Sequence, residues 1–333
     1  MKTFEMMRPK DAYEQVLYQR EIDGTAFFNK YHEDFVEVGC PACGKEGIPV
    51  FTKYGFSHKS CPSCRTLFCS PRPVDRLISL YYTSYKAPEL WTQLLLKADR
   101  QRKILQHAPR VDKIVTEIRR IRVGSGGIAL DIGAGSGAFS SCLNRTGFFN
   151  DTIALDISDS CVDACKSCGL TAKKGTIADI ETESVDFICM NDLIEHVFDP
   201  LALLWECRRV LRSKGIISIA TPNGEGFDFK ILKEKTKNIT PPEHINYFNP
   251  DSMAILLKRA GFLPVSIETP GILDVEIVKK EQEAGFPLAD KNEYLSHLFE
   301  QDEMVLKNFQ HFISDNRLSS HMLAIAQKED ENL

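Results

Sequence analysis

The chain has 333 residues, 43% of them hydrophobic and 26% charged, which excludes a largely disordered polymer and leaves room for about two domains at ~150 residues each. With 41 Lys and Arg against 46 Asp and Glu the net charge is −5, so no overall positive field argues for nucleic acid or an anionic membrane surface. No run approaches the ~18 apolar residues of a membrane helix, and Met1–Lys10 lacks the apolar core of a signal peptide, so the chain is expected to be cytoplasmic and not inserted in a membrane.

Residues 1–36 form a mixed N-terminal segment. Residues 37–72 are dense in Cys, Gly and Pro, with β-like pieces at Val50-Phe51-Thr52 and Thr66-Leu67-Phe68, and Pro71-Arg72-Pro73 makes a stiff exit. From 73 to 123 the pattern is that of a helical linker. Ile104, Ala108, Val111, Val115 and Ile118 step by four, three, four and three into one apolar stripe, which Pro109 is expected to split between two helices. Its nine Lys and Arg against three Asp and Glu between 97 and 122 read as a solvated face. Then strands and helices alternate: a strand at 127–131, a helix at 137–146, a strand at 152–156, a helix at 159–168, a strand at 170–174, a strand at 185–190, a helix at 200–212 and a strand at 216–220. Such alternation predicts an α/β fold with a parallel sheet covered on both faces. Residues 271–319 carry apolar residues at helical spacing and read as a helical insertion, either core or a roof over a pocket.

Eleven cysteines in a chain without an export signal argue for thiols and metal ligands over disulfides. Cys40, Cys43, Cys61 and Cys64 fall in the spacing C-x2-C-x17-C-x2-C. Two thiolates on one tight turn both reach an ion at ~2.3 Å, and two such turns complete a tetrahedron that selects Zn²⁺. A closed four-sulfur shell leaves no open position, so this zinc is expected to be structural. Cys161, Cys165 and Cys168 share one predicted helix without a second pair and read, with Cys142, Cys189 and Cys207, as reduced thiols.

Asp131-Ile132-Gly133-Ala134-Gly135-Ser136-Gly137 follows a strand and opens a helix, where free N–H groups and missing side chains let a ligand approach the backbone. The dinucleotide spacing G-x-G-x-x-G would need glycine at 138, where Ala138 stands. Asp156 ends the next strand and is placed to accept the hydroxyls of a ribose. Residues 128–137, Asp156, the segment Val185–Pro200 and the segment Arg209–Pro222 together resemble the motifs of class I S-adenosylmethionine-dependent methyltransferases, over about 124–270, with His321–Lys328 similar to their closing strand. The resemblance implies a Rossmann-like seven-stranded sheet of order 3-2-1-4-5-7-6 in a domain spanning 124–328. It also implies a cofactor site in which Gly133, Ala134, Gly135 and Gly137 flank the methionine and Asp131 lies near its amino group. Asp156 and Ile157 would hold the ribose side, Thr176 and Ile177 the adenine side, and Asn191 the pocket after the fourth strand.

Methyl transfer from a sulfonium requires alignment of nucleophile, carbon and sulfur, and removal of a proton from an alcohol or an enolisable carbon. His196, preceded by Glu195, and His244, preceded by Glu243, both follow strands at the sheet edge where open α/β folds bind ligands. His244 is expected to be the base, His196 to position the acceptor, and Glu243 to orient His244 or to face water. These paired segments resemble zinc-containing deoxysugar C-methyltransferases and, at Glu195-His196, ubiquinone-type O-methyltransferases, some of which use Mg²⁺. The sugar enzymes have a tyrosine three residues before the second histidine. Pro241 stands there, so O- and C-methylation are both expected options. The leading expectation is an S-adenosylmethionine-dependent methyltransferase of a small molecule or nucleotide-linked sugar. A macromolecular acceptor recognised by the zinc unit, and a non-catalytic adenosylmethionine-binding scaffold, are the alternatives. Nucleic acid is the less expected partner, because Lys45, Lys53, Lys59 and Arg65 are well spread.

Overall fold

The apolar runs near 130, 154, 188 and 218 become central strands, because only a parallel sheet covered on both faces buries them completely. The computed structural model describes residues 3–121, 124–286 and 293–330. Its strands are β1 (Ile48–Lys53), β2 (Phe56–Ser60), β3 (Leu67–Cys69), β4 (Ile128–Ile132), β5 (Asp151–Asp156), β6 (Thr171–Lys174), β7 (Val185–Asn191), β8 (Leu211–Pro222), β9 (Asn246–Tyr247), β10 (Phe262–Glu268) and β11 (His321–Lys328). The first helices are α1 (Thr3–Met7), α2 (Lys10–Tyr31), α3 (Asp75–Ser84), α4 (Lys86–Lys97), α5 (Asp99–Arg102) and α6 (Ala108–Ile121). Next come α7 (Ala138–Asn144), α8 (Asp159–Ser167), α9 (Pro200–Val210), α10 (Phe227–Leu232) and α11 (Pro250–Arg259). The last are α12 (Asp274–Glu283), α13 (Glu293–Phe299) and α14 (Glu303–Asp315).

Seven strands pair in the order β10-β11-β8-β7-β4-β5-β6. The five from β8 to β6 are mutually parallel, and β11 is antiparallel to both its neighbours. Numbered within the sheet, that is the expected 3-2-1-4-5-7-6 with its last strand reversed. Alternation along β4 sends Leu130 and Ile132 to one face and Ala129 to the other. The first face packs Leu204, Cys207 and Val210 of α9 and Met253, Leu256 and Leu257 of α11. The second packs Val111, Ile114, Val115 and Ile118 of α6 and Phe139, Cys142 and Leu143 of α7. Helix α9 starts where Asp199 accepts the Ala202 N–H at 3.0 Å with Pro200 in the first turn, a combination that satisfies one terminal donor and presets φ.

The linker departs from its expected pattern. Pro109 does not split the helix; residues 103–107 form a π turn, in which the Ala108 N–H donates to the Lys103 carbonyl. The extra residue in that turn rotates the apolar stripe by about 100°. Ile104 is therefore turned outward at 56% exposure while His107 is buried at 4%. The junction at 122–123, where the linker was expected to meet the sheet domain, lies outside the described residues.

The cysteine unit shares a sheet and a core with the rest of the chain. β1, β2 and β3 continue into β9, which follows His244, and Leu67 and Phe68 pair antiparallel with Tyr247 and Asn246. Cys40, Cys61, Cys64 and Phe68 belong to the same apolar cluster as Ile219, Phe248 and Leu256. In the insertion, Val275 and Val278 of α12, Leu295, Leu298 and Phe299 of α13 and Leu306 and Ile313 of α14 pack together against Leu232. Tyr294 and Phe312, also apolar residues of the insertion, are mostly exposed; residues 287–292 of the insertion lie outside the described set. Among the described residues no helix is long and apolar enough to cross a membrane.

Candidate active site

Gly133, Gly135 and Gly137 all adopt positive φ, at 70°, 56° and 75°, which a side chain would strain. A Cβ on Gly137 would lie 2.9 Å from Cys165 Sγ, so the loop needs glycine for its packing as well as its turn. Cys165, buried, donates to the Gly135 carbonyl at 3.4 Å and supports the loop from below. Space above Gly135 is open, with nothing within 4 Å of a Cβ there. The N–H groups of Gly133 and Ala134 donate to the Leu155 carbonyl at 2.9 and 3.2 Å, clamping the loop to the end of β5.

Asp156 stands beside that open space. Its Oδ2 accepts the Gly135 N–H at 2.9 Å and its Oδ1 the Ser158 N–H at 2.9 Å, which fixes the carboxylate at the loop rim. Ile157 next to it is 62% exposed, an isolated apolar face at a strand end. The Gly175 N–H donates to the Asp156 carbonyl at 3.0 Å and brings Thr176 and Ile177 alongside. Ile177 is buried, and Asp179 accepts the Thr176 N–H and hydroxyl at 2.7 and 3.2 Å, so that acid caps its own turn. Asp131 is buried under the loop and accepts from Ser140 Oγ at 2.5 Å; burial pushes its carboxyl up to about 6. Asn191, the last residue of β7, accepts Arg110 Nη1 on its Oδ1 at 2.7 Å, and its side chain also helps hold the buried Asp131 carboxylate.

Beyond Asn191 the chain turns back across the loop, and Leu193 comes within 3.1 Å of a Cβ built on Gly133. Glu195 and His196 follow. The Ile245 N–H donates to the Glu195 carbonyl at 2.9 Å, so His196 and His244 face one another with ring centroids 4.7 Å apart. His196 Nδ1 lies 2.8 Å from the Glu243 carbonyl and 2.8 Å from the Tyr82 hydroxyl. A carbonyl only accepts, so Nδ1 carries the hydrogen and Nε2 the lone pair. His244 Nδ1 meets the Asn238 carbonyl at 2.9 Å, which imposes the same tautomer. Burial, then His196 and Arg20, hold the His244 imidazole well below its ordinary value, and burial lowers His196 too. Both rings are neutral, each with an Nε2 acceptor.

The Glu195 Oε2 accepts from Thr221 Oγ1 at 2.9 Å, whereas the buried Oε1 has no hydrogen-bond partner and lies 3.9 Å from His196 Nε2. Burial and then Asp192 raise this carboxyl above the usual carboxylate range. One ligand atom each from Glu195, His196 and His244 lie within 4.8 Å of one another, close enough for a shared divalent ion or a shared proton network.

Glu243 turns away from both rings. Its carboxylate forms a two-pronged pair with Arg20, Nη2 to Oε2 at 2.5 Å and Nε to Oε1 at 3.1 Å, buried to side-chain exposures of 7% and 3%. The guanidinium also stacks 4.6 Å over Trp91. Glu243 thus anchors the loop to α2, and its carbonyl orients His196. Removing one partner of such a pair leaves an uncompensated buried charge. Arg20→Ala is expected to cost about 3–5 kcal/mol in urea unfolding, with partial recovery in Arg20→Lys; an unchanged midpoint would contradict the anchoring role.

In the cysteine unit the Sγ atoms of Cys40 and Cys64 are 3.4 Å apart, those of Cys43 and Cys61 3.4 Å, and those of Cys43 and Cys64 3.6 Å. Sulfurs around one zinc at ~2.3 Å would stand about 3.8 Å apart, so the donor set fits a single ion. Each turn repeats the other. Cys40 N–H donates to Lys45 and Gly44 N–H to Cys40, as Cys61 does to Thr66 and Arg65 to Cys61, all at 2.8–2.9 Å. The left-handed position falls on Gly44 in one turn and on Arg65 in the other. Cys69 faces His58 at 3.3 Å, apart from the cluster. Asn249, the cap of α11, donates to the Cys64 carbonyl at 2.9 Å, and Arg259 to the Ala42 carbonyl at 2.6 Å. Arg72 donates to Asn246 Oδ1 at 2.6 Å, and Asn246 donates to the Val197 carbonyl at 2.8 Å, which ties the unit to both histidine segments.

Tyr82, Arg20, Asn238 and Arg72 were not among the expected site residues. Tyr82 and Arg20 stand 114 and 223 positions from their partners, and no local pattern marks such pairs.

A glycine loop, an acid at the end of the next strand and a polar cluster over the same edge of a 3-2-1-4-5-7-6 sheet define an α/β transferase that uses a nucleoside cofactor. Residues 98–267 match the family described as a methyltransferase domain, over just half of the chain. The chain belongs to this family, and it is a class I S-adenosylmethionine-dependent methyltransferase. An uncharacterized protein of Methanocaldococcus jannaschii is 26% identical over 156 residues, 46% of this chain and 73% of that one. A Mycobacterium tuberculosis protein named a probable S-adenosylmethionine-dependent methyltransferase is 34% identical over 84 residues, covering 25% of this chain and 29% of its own. A ubiquinone biosynthesis O-methyltransferase of Cereibacter sphaeroides is 28% identical over 150 residues, 41% of this chain and 60% of that one. A chain of the solved complex between the Haloferax volcanii Trm112 methyltransferase activator and a methyltransferase shares the fold, with a TM-score of 0.50 at 15% identity over 74% of this chain and 97% of that one.

Proposed function

We propose that this methyltransferase acts on a hydroxyl or an enolisable carbon of a small polar acceptor, of the kind found in nucleotide-linked sugars, and that His244 takes the acceptor proton. The observation that carries this reading is the pair of neutral rings whose Nδ1 atoms are both held by backbone carbonyls. Each Nε2 is thereby left as a proton acceptor at the sheet edge beside the glycine loop. S-adenosylmethionine supplies a methyl group already activated on a sulfonium. Gly133, Ala134, Gly135 and Gly137 would bind its methionine side, with Asp131 and Asn191 near the amino group; Asp156 and Ile157 would take the ribose, and Thr176 and Ile177 the adenine. His244 holds the proton released from the nucleophile, while His196 and Tyr82 position the acceptor by hydrogen bonding. The four cysteines Cys40, Cys43, Cys61 and Cys64 would hold one structural zinc. That unit shares strand pairing with β9 and is tied to α11, which supports a buttressing role for it over recognition of a macromolecule.

The test is transfer of labelled methyl from S-adenosylmethionine to a panel of nucleotide-linked deoxysugars. Transfer to none of them, together with methylation of protein or RNA, would overturn the acceptor reading. For the cofactor side, Asp156→Ala is expected to weaken S-adenosylmethionine binding in calorimetry by about 1–3 kcal/mol, the scale of charge-assisted hydrogen bonds. Tight binding of NAD without response to S-adenosylmethionine would remove the assignment of Asp156.

A further inference from the structure

A buried polar network runs from the helical insertion to the segment that carries His244. Asp228, in the first turn of α10, is fully buried, and its Oδ2 accepts from Thr236 Oγ1 at 3.0 Å and from the Asn238 side-chain amide at 2.8 Å. The Asn238 carbonyl is the group that takes the His244 Nδ1 hydrogen. Asp228 is itself fixed from behind. Its N–H donates to Ser320 Oγ at 3.1 Å, and the Ser320 N–H donates to Asp274 Oδ1 at 2.5 Å. Asp274 Oδ2 accepts in turn from Ser319 Oγ at 2.6 Å and from Gln310 of α14 at 2.9 Å. A Cβ on Gly226 would fall 2.2 Å from Ser320 Cα, so the chain before β11 is in direct backbone contact with the start of α10.

Loop 233–245 has other anchors. Lys53 Nζ donates to the Thr236 carbonyl at 2.9 Å, and Ile239 packs with Phe229 and Tyr247. Asn238, however, leads back to Asp228 by both of its ends: the side chain directly, and the N–H through Thr236 Oγ1 at 3.4 Å. Stability does not explain the carboxylate. Burial and then Asp274 raise it to about 6, above its value in an unfolded chain, so its charged form weakens the fold at neutral pH. We propose that Asp228 is a positioning residue for methyl transfer: acting through Asn238, it aims the carbonyl that holds His244 in its Nδ1–H tautomer, with the Nε2 lone pair left for the acceptor proton. In a neutral imidazole the hydrogen bond at one nitrogen decides which form the other takes. Released by that carbonyl, the ring exchanges between tautomers, and the fraction able to take a proton at Nε2 falls. A group that positions another must itself be locked by its neighbours, which Ser320 and Asp274 do here. The proposal rests on the reading of His244 as the base.

Nitrogen-15 spectra of protein labelled at histidine report the tautomer directly, and the His244 signals are assigned by their loss in His244→Ala. The wild type is expected to show a protonated Nδ1 and a bare Nε2. Asp228→Ala should show both tautomers and lower kcat on the nucleotide-linked deoxysugar panel by about 10–100-fold, the scale of misplacing a reacting group by an ångström. Acceptor KM and S-adenosylmethionine affinity should stay near wild type. Asp228→Asn, whose side-chain oxygen can accept both hydrogen bonds, should restore most of the rate. Asn238→Ala cuts the same link from its other end and serves if Asp228→Ala melts early. An unchanged tautomer in Asp228→Ala and Asn238→Ala would overturn the proposal, whatever the rate, and leave the base reading of His244 intact. Mixed tautomers at an unchanged rate per folded molecule would overturn it through the base reading on which it rests. If no member of the panel is methylated, the tautomer alone decides.

Discussion

His244→Ala is expected to lower methyl transfer by 10²–10⁴-fold, the usual effect of losing a general base, while S-adenosylmethionine affinity and melting temperature stay close to wild type. The distinction is physical. The His244 ring makes one hydrogen bond to the protein, to the Asn238 carbonyl at 2.9 Å, and losing it costs on the order of 1 kcal/mol of stability. A purely structural histidine would therefore give an early-melting variant that keeps its rate per folded molecule, and that result would end the base assignment. His196→Ala removes contacts to the Glu243 carbonyl and to Tyr82, and is expected to raise KM for the acceptor more than it lowers kcat. A greater fall in kcat for His196→Ala than for His244→Ala would exchange the two roles. Tyr82→Phe keeps the ring and removes the hydroxyl, so it reports on the phenol that reaches His196 from α3 in place of the one missing at Pro241.

Replacement of both Cys61 and Cys64 by Ser should reduce bound zinc from about one per chain to none by elemental analysis, and should unfold the N-terminal unit. Structural zinc contributes on the order of 10–16 kcal/mol at neutral pH in small zinc domains, as much as the whole stability of a typical domain. The loss should spread to the active site, because β3 pairs with β9, which begins two residues after His244, and Asn249 donates to the Cys64 carbonyl. The expected readouts are a lower melting temperature, faster proteolysis around 240–249 and lost methyl transfer on addition of a strong chelator. Full zinc retained by the double variant would sink the ligand assignment, and an active, zinc-free enzyme would sink the buttressing role.

Much of the fold is legible in short stretches of sequence, because it depends on neighbours. Apolar strands ending in Asp131 and Asp156, glycines at 133, 135 and 137, and cysteines in two C-x2-C turns each state a local geometry within about ten residues. Helix phase across a proline is less legible. Whether Pro109 breaks the helix or is absorbed by a π turn depends on what packs against it, and the choice decides that His107 faces inward and Ile104 outward. The histidines could be named from their strand-end positions, yet their tautomers could not, since the Asn238 and Glu243 carbonyls that set them arrive only when the loop folds over the sheet edge.

By itself, then, the sequence determined the alternation of strands and helices, the glycine loop and the metal-type turns, where each preference is a matter of backbone conformation or spacing between nearby residues; the sheet order was implied by the family resemblance that these motifs carry. Only the tertiary structure decided that Glu243 pairs with Arg20 and not with His244, that Tyr82 joins His196, and that the cysteine unit lends a strand partner to the segment carrying His244. Those pairings join residues far apart in the chain. Their stability comes from excluding water around groups that would otherwise be solvated separately, and that exclusion exists only in the packed molecule.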